Sequence, residues 1–251
     1  MPIDYARKLT GRHRTPGANR HLGIALAFVA GAINAGGFLA VHQYTSHMSG
    51  IVSSMADNLA LGEYGLVLSA GGALLSFLLG AATSSILVNY ARRHRLRSEF
   101  ALPLLFEAVL LLAFGILGVR LSAVDVVVVL PVTVMLLTFL MGLQNAVITK
   151  ISKAEIRTTH ITGIVTDIGI ELGKLVYWNR AERRSPVFAS RERLAVLCAL
   201  AFAFFLGGYV GAVGFQAIGY LATVPLAFLL VTLAGVPVLD DFAIFLARAR
   251  R

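Results

Sequence analysis

Six long apolar stretches limit what this chain can fold into, because each is nearly free of charge. About 20 consecutive apolar residues are needed to cross the hydrocarbon layer of a membrane as an α-helix. The chain is 57% hydrophobic and 14% charged, whereas a soluble domain carries about 25% charged residues. We therefore predict an all-α integral membrane protein with transmembrane helices at residues 22–41, 66–89, 101–119, 124–148, 194–215 and 218–235.

Basic residues are concentrated between these stretches, and their distribution predicts the orientation. They cluster in the N-terminal flank, at 92–97, at 180–193 and at 248–251, whereas 41–64 and 216–235 contain no lysine or arginine. Because cytoplasmic flanks of membrane helices are enriched in these residues, we expect both termini in the cytoplasm. The net charge of +9 lies in flanks of membrane helices and not in a patch on a soluble domain. We therefore expect the lipid bilayer, and not a nucleic acid, as the partner.

Two shorter and more polar segments, 46–62 and 159–175, interrupt the series. Six spans fit the charge distribution only if each segment leaves and re-enters the membrane on the same side. Irregular backbone at membrane depth is tolerated where protein covers it. We therefore predict re-entrant or broken helices; the alternative is a pair of interfacial helices on the surface.

An internal repeat includes both segments. Thr45-Ser-His-Met-Ser-Gly-Ile-Val52 recurs as Thr158-Thr-His-Ile-Thr-Gly-Ile-Val165. Upstream, Gly31-Ala-Ile-Asn-Ala35 is matched by Gly142-Leu-Gln-Asn-Ala146. A shared Thr-x-His-x-x-Gly-Ile-Val with an upstream Gly-x-x-Asn-Ala is too specific for chance similarity between apolar helices.

The repeat divides the chain into two membrane units, 22–121 and 122–236, between basic tails at 1–21 and 237–251. Each unit holds three spans and one short segment. Because three is odd, the second unit enters the membrane from the opposite side, as the charge distribution also requires. Inverted repeats with short interrupted helices are typical of secondary transporters, whose binding site lies near the midplane.

The polar residues of the two motifs are candidates for a solute site. Hydroxyl groups that cap the start of a short helix would leave its backbone N–H groups facing an anionic or polar solute. The histidines titrate near physiological pH, which suits proton coupling. The alternative is that these small polar residues only join helices. The motif residues assigned to the site are Thr45, Ser46, His47, Ser49, Gly50, Thr158, Thr159, His160, Thr162 and Gly163.

Amide and acidic side chains within the apolar stretches extend this candidate site. Asn34 and Asn145 occupy matched positions, and Gln144 adjoins the second. Glu107 lies six residues into its predicted span, about 10 Å deep at 1.5 Å per residue. A carboxylate at that depth is costly, so Glu107 should face the interior and be protonated or paired. Asp167, in the second short segment, is a candidate for an entrance to the site.

Enzyme motifs, cofactor motifs and metal-ligand spacings are not recognisable in the sequence, so we expect neither catalysis nor a cofactor. The single cysteine, Cys198, lies in an apolar stretch. Gly207-x-x-x-Gly211 allows close helix crossing, and such spacing permits a homo-oligomer.

The motifs resemble those of the YoaK family, bacterial membrane proteins of unknown function. The resemblance is carried by Gly31–Phe38, Thr45–Gly50, Met141–Ala146 and Thr158–Gly163, and it covers roughly residues 20–236. It implies a multi-spanning protein of the bacterial inner membrane, and it names no substrate. From the repeat and its polar residues we predict a secondary transporter or permease for a small polar or anionic solute, with proton coupling as one mode. The alternative is a non-transporting membrane scaffold or stress-related protein.

Overall fold

The computed structural model describes residues 2–11, 14–41, 44–121, 126–152, 158–178 and 186–249. These residues fold predominantly into α-helices, which confirms the predicted all-α class. The helices are α1 Pro2–Thr10, α2 Pro16–Val41, α3 Met48–Ala60, α4 Tyr64–Arg93, α5 Ala101–Leu121, α6 Val126–Ser152, α7 Ile161–Val176, α8 Arg191–Ile218 and α9 Thr223–Ala249. A 3₁₀ turn at Gly219–Ala222 joins the last two.

Four helical stretches among the described residues are long and apolar enough to cross a membrane. They are Pro16–Leu39, Tyr64–Arg93, Pro131–Ser152 and Arg191–Ala247. The last contains both α8 and α9, and α5 contributes a shorter apolar helix at Ala101–Ile116. Length and composition therefore give a helical protein of membrane character.

The long helices pair across the two halves of the chain. α2 packs along α8, α4 packs along α6, and α5 packs against α9, while the short helices α3 and α7 lie on α4 and α8. α2 and α8 run parallel, since Arg20 pairs with Glu192 near their N-terminal ends and Gly31 meets Phe204 farther along. Each of the two closest helix pairs therefore takes one helix from each half.

The second pair, α4 and α6, is also parallel. Gly72 of α4 lies opposite Met135 of α6, and Asn89 accepts a hydrogen bond from Lys150 farther along both helices. α5 and α9 run antiparallel, because the Thr223 hydroxyl donates to the Leu111 carbonyl near one end and Asp241 accepts from the Ser98 amide near the other.

A Phe-x-x-Gly sequence marks the crossing point of each parallel pair. A Cβ on Gly31 would lie 2.0 Å from the Phe204 carbonyl oxygen, and a Cβ on Gly207 would lie 2.0 Å from the Phe28 carbonyl oxygen. α4 and α6 repeat this reciprocal contact through Phe77-Leu-Leu-Gly80 and Phe139-Leu-Met-Gly142, again at 2.0 Å. Only glycine fits at these positions, because a side chain would enter the backbone of the facing helix.

The Gly207-x-x-x-Gly211 spacing is occupied within the chain. Gly207 packs on Phe28, and a Cβ on Gly211 would lie 2.4 Å from the Ala32 carbonyl oxygen. Both glycines are buried against α2, so this spacing serves contact between α2 and α8 and does not present a surface for a second copy.

Basic side chains gather at one end of the bundle. α1, predicted only as a tail, packs on α9 at this end, where Arg7 binds Asp240 at 2.7 Å. Arg14 lies over the Phe100 ring at 5.3 Å, and burial lowers the pKa of its guanidinium to about 10. Among the described side chains, the opposite end carries no lysine or arginine in α3 or the first half of α4; Arg120 lies near the C-terminal end of α5. We refer to the end of the bundle where α1 packs on α9 as the basic end.

Candidate functional site

Each repeated motif forms a turn that a matched asparagine holds in place. Asn34 of α2 accepts hydrogen bonds from the Ser46 amide at 3.2 Å and from the Ser46 hydroxyl at 2.8 Å. Asn145 of α6 accepts one from the Thr159 hydroxyl at 2.7 Å. In both copies the tethered residue lies two positions before the short helix begins. The predicted equivalence of these asparagines is therefore visible in their contacts.

A buried threonine precedes the tethered residue in each turn. Thr45 and Thr158 are completely buried, and neither hydroxyl has a hydrogen-bond partner. Thr45 lies against α2, since its hydroxyl would be 3.6 Å from a Cβ on Gly37. Buried hydroxyls in native proteins nearly always have a partner. In both copies of the repeat, therefore, the buried threonine hydroxyl lacks a hydrogen-bond partner.

The predicted hydroxyl capping of the short helices is wrong. The N-cap residues are His47 and His160, and neither makes a side-chain capping hydrogen bond. Ser46 and Thr159 bind asparagine side chains instead, because those amide oxygens lie within reach. Ser49 and Thr162 are exposed in the first turns of α3 and α7.

The spacing between histidine and glycine, which both copies of the motif share, has a local cause in the fold. A Cβ on Gly50 would lie 2.8 Å from His47 Nδ1, and one on Gly163 would lie 2.2 Å from His160 Nδ1. The imidazole of each N-cap residue therefore rests over the glycine three positions later. Glycine at these positions leaves room for the histidine of its own motif.

A cavity of about 420 Å³ opens beside the first turn, between α3, the start of α4 and the end of α2. Phe38 and Tyr44 stack at one side, with ring centroids 4.6 Å apart. None of the residues lining the cavity is lysine, arginine, aspartate or glutamate. The polar and aromatic part of the lining consists of Phe38, Tyr44, His47, Ser54, Asn58 and Ser69.

Sequence reasoning placed only His47 and Gly50 in this cavity. Phe38, Tyr44, Asn58 and Ser69 were missed because they come from three different helices and the connection before α3. Ser54 and Asn58 are four residues apart on α3, and Asn58 Nδ2 donates to the Ser54 carbonyl at 2.7 Å. This i, i+4 polar pair on one face of α3 was the available signal.

The second turn is closed by charged groups. Asp167 of α7 pairs with Arg193 of α8 at 3.0 Å. Glu171 is buried, and it accepts hydrogen bonds from Lys174 and from the Ser190 amide, both at 2.8 Å. These bonds hold the pKa of the Glu171 carboxyl below its ordinary value, with the Lys174 bond the largest cause. Asp167 therefore fastens α7 to α8.

Glu107 and Gln144 form a separate polar pair between α5 and α6. Both side chains are completely buried, and Gln144 Nε2 donates to Glu107 Oε1 at 3.1 Å. Glu107 faces the interior, as its depth in the sequence predicted. Glu107 Oε2 and Gln144 Oε1 have no partner.

The two turns lie toward opposite ends of the bundle. Asn34 and Asn145 each lie seven residues before the end of their helix, about 10 Å along the axis. α6 ends at the basic end, where Lys150 reaches Asn89, whereas α2 begins there. Each motif is therefore brought to its own asparagine, and no hydrogen bond among the described residues joins one motif to the other.

Comparisons with known proteins add one finding. Curated proteins and solved structures gave no match to this chain. A family model described as "Protein of unknown function (DUF1275)" matches residues 22–236 and leaves out both basic tails. Because this match covers most of the sequence, the chain belongs to this YoaK-like family of proteins of unknown function.

Proposed function

We propose that this protein is a secondary transporter or permease for a small polar solute, built from two inverted repeats of three spans each. In this proposal α2, α4 and α5 are the spans of the first repeat, and α6, α8 and α9 are those of the second. The basic end faces the cytoplasm, which places both termini there. The membrane is the bacterial inner membrane.

The observation that carries the proposal is a symmetry of helix packing. Exchange α2 with α6, α3 with α7, α4 with α8 and α5 with α9. The α2–α8 pair then becomes the α6–α4 pair, and the α3–α4 contact becomes the α7–α8 contact. The reciprocal Phe-x-x-Gly crossings exchange in the same way. α2 leaves the basic end and α6 runs toward it, which supports an inverted relation between the halves, an arrangement typical of transporters.

The cavity at the first turn supports a polar, uncharged solute in preference to an anionic one. Its lining supplies hydroxyl, amide and imidazole groups beside a stacked aromatic pair, without a cationic side chain. Small-molecule sites combine apolar and aromatic walls with a few polar groups that fix orientation. We propose Tyr44, His47 and Asn58 as the solute contacts.

The closure of the second turn supports alternating access. The first turn adjoins an open cavity, whereas the matched turn at the basic end is tied down by Asp167–Arg193 and by the contacts of Glu171. We propose that solute binding at the open side and release of these ties at the other side alternate. Inverted repeats allow such an exchange because each half adopts the arrangement of the other.

The solute site is tested by thermal stabilisation of the purified protein across a library of small metabolites. A bound solute stabilises the folded state by mass action. We expect hits whose stabilisation is lost in N58A and Y44A and is kept in the matched control H160A, which alters the other copy of the motif. Hits that survive in an N58A/Y44A double variant would place the site elsewhere. An absence of hits together with a stable co-purifying partner would favour a scaffold.

The topology is tested by cysteine accessibility in a C198S background, since Cys198 is the single cysteine. Reporters at Gly62, between α3 and α4, and at Phe188, before α8, are expected to be labelled from opposite sides of the membrane. Labelling of both from one side would contradict the inverted repeat.

A further inference from the structure

The buried pair formed by Glu107 and Gln144 lacks one donor. Glu107 Oε1 accepts the only hydrogen bond between them, while Glu107 Oε2 and Gln144 Oε1 are buried acceptors without a partner. The first half of the chain has no such pair, since Ile33 occupies the position that matches Gln144. This polar pair is therefore an addition to one copy of the repeat and not part of the turn that both copies share.

Among the described side chains, no charged group faces Glu107 from the elements packed against α5. The titratable residues of α4, α6, α9 and the 3₁₀ turn lie toward the ends of these elements: Tyr64, Tyr90, Arg92, Arg93, Lys150, Tyr220, Asp240 and Asp241. An ionised carboxylate without a cation is very costly in such a place.

We propose that Glu107 is a proton-binding site and that Gln144 transmits its protonation state to the second motif. This inference rests on the proposed transport function, because a proton site is useful for coupling only if a solute moves. It adds the position of the coupling group and its route to α7.

The route follows from the two faces of the glutamine amide, which donates through nitrogen and accepts through oxygen. Gln144 Nε2 donates to Glu107 Oε1 in the structure, and an ionised carboxylate can accept this bond. When Glu107 takes a proton from water, its hydroxyl becomes the donor and the amide turns to present Oε1. Asn145 is the next residue of α6 and holds Thr159 at the start of α7. The proposed route therefore runs through the backbone of α6 from Gln144 to Asn145, because neighbouring side chains of a helix do not face each other.

A proton fits this pair better than a metal ion. The pair offers two free oxygens, whereas hard cations such as Ca²⁺ take six to eight. The described residues contain no cluster of three or more histidine, cysteine, aspartate or glutamate side chains. Sodium is the competing monovalent cation, and the experiment separates it from the proton.

The proton site is tested by infrared spectroscopy of the full-length protein in lipid nanodiscs. We expect a C=O stretch of a protonated buried carboxylic acid that shifts in D₂O and titrates with pH. E107Q should remove this band, and E171Q, which alters another buried glutamate, should keep it. A band that neither titrates nor exchanges, or one absent from the wild type, would overturn the proposal. Loss of the band on adding NaCl at fixed pH would assign the site to sodium instead.

The route is tested with Trp178, the single tryptophan, which lies two residues after α7. We expect a pH-dependent change in its fluorescence that E107Q and Q144L both reduce several-fold, while Q144L keeps the infrared titration. An unchanged fluorescence response in Q144L would refute transmission through the amide. Neither measurement uses a solute. A negative result for the proton site therefore does not contradict the solute site, and an absence of solute hits does not contradict the proton site.

Discussion

The two repeated turns share one backbone design and differ in what surrounds them. In both, an asparagine of a long helix binds the residue two positions before a short helix, and a histidine covers the glycine three positions later. Around the first turn lie an aromatic pair and an uncharged cavity. Around the second, α7 is fastened to α8 through Asp167 and Glu171.

This difference separates the features that both turns share from those that belong to one turn. The asparagine tether and the glycine under the imidazole occur twice, so they serve the turn itself. Among the described residues, the cavity lies beside the first turn and the charged ties lie beside the second. If the protein alternates between two arrangements, the cavity and the charged ties favour the present arrangement over the one in which the two halves exchange roles.

The largest expected effect tests what the halves have in common. G80A and G207A each place a methyl group 2.0 Å from the carbonyl oxygen of the facing helix, so the paired helices must separate. Overpacking of this kind costs about 1–3 kcal/mol or more. We expect a similar fall in the free energy of unfolding for both variants, measured by denaturant titration in micelles. The control is G65A, where a Cβ meets nothing within 4 Å. A large effect in only one half would contradict the packing symmetry.

The asparagine tethers come next, and here a difference between the halves is expected. N34A leaves both the amide and the hydroxyl of Ser46 without an acceptor, whereas N145A removes the acceptor of the Thr159 hydroxyl alone. Loss of a buried hydrogen-bond partner costs about 1–3 kcal/mol. We expect N34A to lower the free energy of unfolding more than N145A in the same titration. The reverse order would show that the first turn is not held mainly by Asn34.

Much of this arrangement could be predicted from sequence, because it rests on patterns along the chain. Apolar length predicted where the long helices lie, and the repeated Thr-x-His-x-x-Gly predicted the short ones to within a few residues. The asparagines were matched by their spacing from that motif. What such patterns do not contain is the identity of the facing helix, which depends on three-dimensional packing.

The missed features follow from this limit. Phe-x-x-Gly occurs at Phe28, Phe77, Phe139 and Phe204, but phenylalanine and glycine are common in apolar helices, and only their reciprocal contact gives the pattern meaning. Hydroxyl capping was predicted for residues whose oxygen atoms bind a distant asparagine instead. The cavity lining combines residues of α2, α3, α4 and the connection before α3, so no single stretch of sequence predicts it.

A smaller effect tests the charged side of the comparison through pH. The pKa of Glu171 is lowered in the folded protein by the bonds from Lys174 and Ser190. A group with a lowered pKa stabilises the folded state above its unfolded pKa and loses that contribution as pH falls through its folded pKa. We expect thermal stability to fall below about pH 4.5 in the wild type, and E171Q to flatten this fall. An unchanged pH profile in E171Q would mean that the bonds accepted by Glu171 contribute no stability.

The smallest effect concerns the exposed ion pair of the second turn. Asp167 and Arg193 are 39% and 57% exposed, and exposed pairs contribute at most about 1 kcal/mol because water and salt screen them. We expect D167N, R193Q and the double variant to have nearly the same unfolding free energy as one another, with a difference from the wild type that shrinks in high salt. If the pair also holds the basic end closed, solute uptake into vesicles should change in D167N while stability hardly does. Equal uptake in D167N and the wild type would remove this ion pair from the closure, and only the buried contacts of Glu171 would then distinguish the closed turn from the open one.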